Sequence, residues 1–217
     1  MLLAVNRTSS KLDELISACD DALRTVFGPP PRAKRASPAE TVADVELDVH
    51  ERELAARLMR VNHTGEVCAQ ALYQGQALTA RLPEVRDKME QAAEEENDHL
   101  AWTQARIDEL GGRSSYLNAL WYAGSFTIGA LAGLVGDKWS LGFVAETERQ
   151  VVEHLNDHSQ RVPQRDQKSR VILDQMRDDE ERHATVAIEA GAIRLPRPIR
   201  AAMQLTSKIM TRTAYWI

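Results

Sequence analysis

The sequence predicts an all-α chain organised around four long helices in two hairpins, and three observations predict it. Aromatic residues make up only 5% of the 217 residues, with Gly 11 and Pro 8, a poor composition for a β-sandwich or barrel. Long tracts of helix-forming residues run without proline, the clearest from about Leu47 to Ala80. The prolines that do occur, Pro83 and Pro163 among them, fall between those tracts rather than within them. A hydrophobic fraction of 43% is enough for a sizeable core and excludes wholesale disorder.

Each element follows in order. From about Ser10 to Phe27, Leu12, Leu15, Ile16, Cys19, Leu23 and Val26 recur at helical spacing, and Gly28 with Pro29-Pro30-Pro31 ends the run. Residues 1–40 therefore read as a helical arm on a Pro-rich linker. The helix over about 47–80 comes next. Pro83 suits the first turn of a second helix that runs to Leu110 and stops at Gly111-Gly112. Ser114 to Gly136 holds no charged residue, which predicts a long apolar helix or helix pair crossing between the hairpins. A third bundle helix spans about Lys138 to Val162, ended by Pro163, and a fourth runs to about Ala192, before Leu195-Pro196-Arg197-Pro198. Residues 41–195 form the bundle domain, and 196–217 a basic amphipathic C-terminal helix.

Charge narrows the partners. The net charge of −5 and pI near 5.7 exclude general nucleic-acid binding. After Glu189 every charged residue is basic (Arg194, Arg197, Arg200, Lys208, Arg212), giving the tail +5 and the rest −10. With Ile199, Met203, Ile209, Met210, Tyr215 and Trp216 interleaved, the tail either lies on an anionic membrane surface or packs on its own protein with its arginines in water. Two cysteines, Cys19 and Cys68, make neither a disulfide framework nor a cysteine-rich zinc site and fit a reducing compartment. MLLAVNRTSS lacks a basic start followed by a long apolar run, so no signal peptide is expected.

Two E-x-x-H motifs carry the chemistry: Glu96-Asn97-Asp98-His99 and Glu180-Glu181-Arg182-His183. Residues three apart leave one helix face a turn apart, but either motif alone is weak, since an exposed polar face produces it by chance. Spacing supplies the rest. Glu66 lies 30 residues before the first motif and Glu148 lies 32 before the second, and Leu82-Pro83 and Pro163 sit at the midpoints. A hairpin folded at its midpoint brings both ends to one height, so Glu66 faces Glu96 and His99, and Glu148 faces Glu180 and His183. Two such half-sites make the ligand set of a di-iron or di-manganese carboxylate bundle. Four carboxylates in a dry core repel one another, and two divalent cations remove that cost. Hard oxygen donors with one imidazole per metal suit Fe(II) or Mn(II) rather than a structural zinc.

Other residues are weaker candidates. His154 and His158 are a possible zinc pair without a third ligand; His154 reads better as a hydrogen-bond partner or a surface residue. His63, one turn before Glu66, supports that carboxylate or plays a plain polar role. Tyr73, two turns after Glu66, is read first as a core tyrosine, with a redox or substrate role as the alternative. Cys68 is taken as a small buried residue, and Glu94 and Glu95 as a solvated face. A single bilayer span through Ser114 to Gly136 would separate the half-sites, so that segment must run along the bundle, double back or lie at an interface. Trp121 and Tyr122 near its start favour partial immersion, and the segment is read as the entrance for an apolar substrate.

These residues resemble a known family. Arg60-Val61-Asn62-His63-Thr64-Gly65-Glu66, Tyr73-Gln74-Gly75-Gln76, Asp98-His99-Leu100, and Leu131-Ala132-Gly133 through Val144-Ala145-Glu146-Thr147-Glu148 are similar to the demethoxyubiquinone hydroxylases of ubiquinone biosynthesis. The resemblance covers about Leu47 to Ile193; Thr64 stands where such proteins often carry alanine. It implies a ferritin-like four-helix bundle with extra N-terminal, crossover and C-terminal helices. It also implies two Fe ions (Fe2+) held by Glu66, Glu96, His99, Glu148, Glu180 and His183. Glu96 and Glu180 would bridge; Glu66 with His99 would complete one iron and Glu148 with His183 the other. The implied reaction is O2-dependent hydroxylation of a polyprenylated methoxy-benzoquinol ring, drawing on an electron donor and on other ubiquinone-biosynthesis proteins as partners. The implied location is peripheral, on the cytoplasmic face of the inner membrane. The alternatives are a ferritin-like ferroxidase, a manganese catalase and a non-enzymatic membrane-surface adaptor.

Overall fold

The computed structural model describes residues 11–29 and 32–217. The expectations for MLLAVNRTSS, for Pro30-Pro31 and for the side chains of Leu12 and Leu15 fall outside the described positions. Seven helices make up the described chain: α1 Lys11–Phe27, α2 Val49–Thr79, α3 Pro83–Glu109, α4 Asn118–Val135, α5 Asp137–Arg161, α6 Gln167–Glu189 and α7 Arg197–Trp216. The fold is all-α, a ferritin-like bundle of the α2–α3 and α5–α6 hairpins with α1, α4 and α7 packed around it.

Local chemistry fixes the ends. Asp48 caps α2: its carboxylate accepts the Glu51 N–H at 2.8 Å, and Glu51 accepts the Asp48 N–H at 3.1 Å. Pro83 opens α3 where a missing N–H costs nothing. Asp166 caps α6 through the Ser169 N–H at 3.0 Å and takes Arg106 Nη2 of α3 at 2.7 Å, joining the two hairpins at that end. At the other end the Asp137 carboxylate accepts the N–H groups of Arg81 and Leu82, both at 3.0 Å, so the start of α5 holds the α2–α3 turn.

The uncharged segment forms one helix, α4, lying along α2 rather than a helix pair. Glycines allow that approach. A Cβ at Gly129 would stand 2.2 Å from the Leu72 carbonyl oxygen, and one at Gly75 would stand 2.3 Å from that of Phe126. Thr79 Oγ1 donates across the same seam to the Ala130 carbonyl at 3.1 Å. Gly136, at φ +138°, is the single residue joining α4 to α5, in a conformation that L side chains rarely adopt. The tail helix α7 packs on α2 and α5 and buries Ala214, while Leu205, Ile209 and Trp216 remain exposed.

Two apolar clusters fill the four-helix bundle itself, beside a smaller one of Val67, Ala71, Leu100 and Tyr122 where α4 meets α2 and α3. One gathers Leu58, Met59, Trp102, Leu155, Ile172 and Met176; the other gathers Ala69, Tyr73, Ala93, Leu141, Val144 and Ala187. On each of the four bundle helices a stretch of polar residues separates the two clusters, and there the proposed ligands sit. Replacing Gly129 by Ala should cost about 1–3 kcal/mol of stability in urea unfolding, because α2 and α4 must part. Gly124→Ala, which points a methyl into open space, should be neutral or slightly stabilising; equal effects of the two substitutions would contradict this packing.

Candidate metal centre

Glu66 comes from α2, Glu96 and His99 from α3, Glu148 from α5, and Glu180 and His183 from α6. All six side chains are buried, and the structure brings them together. Ligand atoms of Glu66, Glu96, His99 and Glu180 lie within 4.8 Å of one another. His99 Nδ1 is 3.3 Å from Glu66, 3.2 Å from Glu96 and 3.2 Å from Glu180. His183 Nδ1 is 3.1 Å from Glu180 and 3.8 Å from Glu96. Glu148 stands beside Glu180, and the Tyr73 hydroxyl donates to it.

The electrostatics are those of crowded, dry carboxylates. Burial and the neighbouring Glu96 charge push Glu66 well above the ordinary carboxylate range, and burial with Glu180 does the same to Glu148. Glu180 moves the other way: burial opposes its ionisation, but hydrogen bonds from His183 and His99 outweigh it and lower its pKa. Burial disfavours charge on both histidines too, yet their carboxylate partners raise His99 well above its usual value and His183 to about 11. Without a cation, protons would have to carry the compensating charge.

Divalent cations fit this cluster better than protons do. Glu96 Oε1 and Glu148 Oε2 are fully buried oxygens without a hydrogen-bond partner, which is costly unless a cation satisfies them. Both imidazoles turn Nδ1 toward the carboxylates and Nε2 away. His99 Nε2 meets Asp179 Oδ2 on α6 at 3.0 Å, and His183 Nε2 meets Glu95 Oε2 on α3 at 2.8 Å. Each hairpin therefore holds the other's histidine, the arrangement that fixes ligand tautomers in metal sites. Arg182 links the two supports, reaching Glu95 and Asp179 at 3.0 Å each. The histidine and Arg182 hold Glu95 down at about 2 against its partial burial.

Several sequence expectations need correction. Glu95 is not part of a solvated face but the partner of His183; Glu94 does lie at the surface, paired with Lys34 at 2.6 Å. Tyr73 is in the core, as its first reading had it, and is also bonded to a proposed ligand, where burial and the Glu148 charge keep its phenol neutral. Asp179, the partner of His99, carries no spacing signal of its own. What marks both supports is position: an acidic residue immediately precedes each E-x-x-H motif. His63 makes no hydrogen bond to Glu66; it is buried with Nδ1 unpartnered, and burial lowers its pKa to about 4. His154 and His158 lie 3.8 Å apart between ring centroids with their planes tilted by 55°; among the described residues no third ligand joins them, and His158 pairs with Asn62 at 2.9 Å. Thr64 is fully buried, its hydroxyl 3.0 Å from both the Arg60 carbonyl and Asn118 Oδ1, so the departure from alanine is satisfied.

A cavity of about 300 Å3 opens beside Glu66, with walls from α2, α4, α5 and α7. Leu72, Ile128, Phe143, Ile199, Met203 and Met210 make it largely apolar, and Cys68, only half-buried, lines it rather than filling the core. Two polar atoms on residues of its wall, Trp121 Nε1 and His154 Nε2, are buried without partners. Burial lowers His154 to about 4, so its imidazole is neutral at physiological pH.

Comparison with known proteins follows the same lines. The family model described as ubiquinone biosynthesis protein COQ7 matches residues 53–214. The chain is 62% identical over 211 residues to the 3-demethoxyubiquinol 3-hydroxylase of Nitrosococcus oceani, covering 97% of this chain and 99% of that one. It is 57% identical over 212 residues to the enzyme of the same name from Legionella pneumophila, with coverage of 97% and 100%. It is 56% identical over 215 residues to that of Pseudomonas putida, with coverage of 99% and 100%. With the buried Glu and His cluster inside the matched region, the chain belongs to the family of the ubiquinone biosynthesis protein COQ7.

Proposed function

We infer that this chain is a 3-demethoxyubiquinol 3-hydroxylase, a monooxygenase of ubiquinone biosynthesis, working with two iron ions held by Glu66, Glu96, His99, Glu148, Glu180 and His183. The observation that carries this reading is a buried carboxylate and imidazole cluster opening at Glu66 onto an apolar cavity. Glu96 and Glu180, which approach both histidines, would be shared between the two ions, with Glu66 and His99 holding one and Glu148 and His183 the other. When bound, iron supplies the electrons that activate O2, one atom entering the ring C–H position and the other leaving as water. The remaining steps belong to the chain. Asp179 and Glu95 orient the two imidazoles, and Tyr73 holds Glu148 through a hydrogen bond from its hydroxyl. An external two-electron donor closes each turnover.

The cavity suits a quinol with an apolar tail. Burying apolar surface gains about 2.5 kcal/mol per 100 Å2, so the prenyl chain belongs among the Leu, Ile, Phe and Met side chains. Trp121 Nε1–H can donate to a ring oxygen, and the neutral imidazole of His154 can accept from a ring hydroxyl. The exposed apolar residues of α4 (Leu131, Leu134, Val135) and of α7 (Leu205, Ile209) lie on two of the four helices that wall the cavity. We place that side on the cytoplasmic face of the cell membrane, where the arginines of α7 meet anionic headgroups and the substrate tail enters from lipid. The domain division follows: an arm and linker before residue 41, the bundle to 195, and a C-terminal helix that closes the cavity.

Three measurements test this. Iron-loaded protein should hold two equivalents with the Mössbauer signature of a coupled pair, and Glu96→Ala should abolish pairing and hydroxylation together. Oxygen consumption without hydroxylated quinol would refute the activity while sparing the metal site. His154→Phe should raise KM for a short-chain quinol about tenfold with iron content unchanged; loss of iron with KM unaltered would count against His154 as a substrate contact. Leu131→Asp with Leu134→Asp should cut cosedimentation with anionic phosphatidylglycerol vesicles about tenfold while leaving thermal stability alone. Full binding by that variant would move the membrane contact elsewhere.

A further inference from the structure

The two E-x-x-H motifs are near repeats, Glu95-Glu96-Asn97-Asp98-His99 against Asp179-Glu180-Glu181-Arg182-His183, and they differ in charge just before the histidine. In the second, Arg182 sits there and balances both outer carboxylates, Glu95 and Asp179. In the first the position is Asp98, a further buried carboxylate beside Glu96, so this half has no cation of its own. The linker between α1 and α2 supplies one. Arg35 Nε donates to Asp98 Oδ2 at 2.6 Å, and its Nη1 donates to Asp179 Oδ2 at 2.8 Å, the oxygen that also meets His99 Nε2. The strap is fastened at several points. The Lys34 N–H donates to Asp98 Oδ1 at 2.6 Å, Trp102 Nε1 donates to the Arg35 carbonyl at 3.4 Å, and the Arg35 guanidinium lies 4.8 Å from the Trp102 ring centroid. Asp98 and Asp179 are 4% and 6% exposed, whereas the Arg35 side chain is 37% exposed, so the arginine covers the pair from the solvent side.

We propose that Arg35, in a linker outside the region matched by the family model, is a positioning residue for the metal centre. By pairing with Asp98 and Asp179 together it fixes the carboxylate that orients His99, and so sets how tightly the His99 half holds its metal. A fork-shaped guanidinium can bridge two carboxylates, while an ammonium reaches them only as a point charge, so lysine should substitute poorly. The inference rests on the metal-binding reading of the six residues, and its test separates the two.

The experiment uses the full chain loaded anaerobically with Fe(II) and follows release to a ferrous chelator. The unaltered chain should give up two equivalents slowly. Arg35→Ala should release one equivalent about 10- to 100-fold faster and leave the other unchanged, as loss of a support behind a ligand does. Arg35→Lys should fall between, and Lys34→Ala, whose ammonium pairs with the surface residue Glu94, should match the unaltered chain. Helicity and melting temperature of the metal-free proteins are read alongside. If Arg35→Ala loses helicity, Arg35→Gln, which keeps a donor without the charge, carries the same comparison. Release of both equivalents at the natural rate would overturn this inference alone. So would equal acceleration of both with a lowered melting temperature, since that is a tether's effect. Failure of the unaltered chain to hold two equivalents would overturn the dinuclear reading and this inference with it.

Discussion

Burying four carboxylates in one dry space is the constraint around which this protein is arranged. Each alone would raise its pKa or stay in water, and together they repel. Without a cation that charge would fall on protons: burial and like charge drive Glu66 and Glu148 toward their neutral forms, while carboxylate partners favour the charged forms of His99 and His183. Two divalent ions would replace those protons with fixed charge. The apolar clusters on either side of the cluster keep water from doing the same work, and the helical backbones leave each ligand little freedom to retreat.

A second layer of charge surrounds the first, and it crosses between hairpins. His99 on α3 leans on Asp179 of α6, and His183 on α6 leans on Glu95 of α3. Neither hairpin is complete by itself, so the site also serves as a joint between the two halves of the bundle. The Arg106–Asp166 pair and the Asp137 carboxylate on the α2–α3 turn perform the same joining at the two ends. Polar contacts thus register the hairpins, while the apolar clusters supply the drive to associate.

Much of this could be read from residue order, for a geometric reason. Helical rise is constant, so a lone Glu some 30 residues from an E-x-x-H motif, with a proline between, dictates a meeting in space. The charge-free run from Ser114 to Gly136 likewise announces an apolar helix. What escaped was pairing between segments with no shared period. Glu95 looks like any exposed acid until α6 is folded against α3, and Arg35 lies in a linker whose course periodicity does not specify. The lie of α4 against α2 was hidden for another reason. Glycine at 75 and 129 marks a close approach only when the facing backbone is known.

The one-residue connection at Gly136 has a mechanical consequence. α4 is pressed into α2 at Gly75 and Gly129, tied by Thr79 to the Ala130 carbonyl, and hinged to α5 by a single peptide unit. A helix clamped along its length and tethered at its end makes a fixed jamb, not a door. α7 is held differently, by side chains at its C-terminal end: Arg113 donates to the Ile217 carbonyl, Arg60 Nη1 donates to the Tyr215 carbonyl at 3.4 Å, and the Arg57 guanidinium lies 4.5 Å from the Trp216 ring centroid. The cavity beside Glu66 therefore has one wall, α4, set by backbone packed on backbone, and another, α7, set by arginine side chains that grip its final turn.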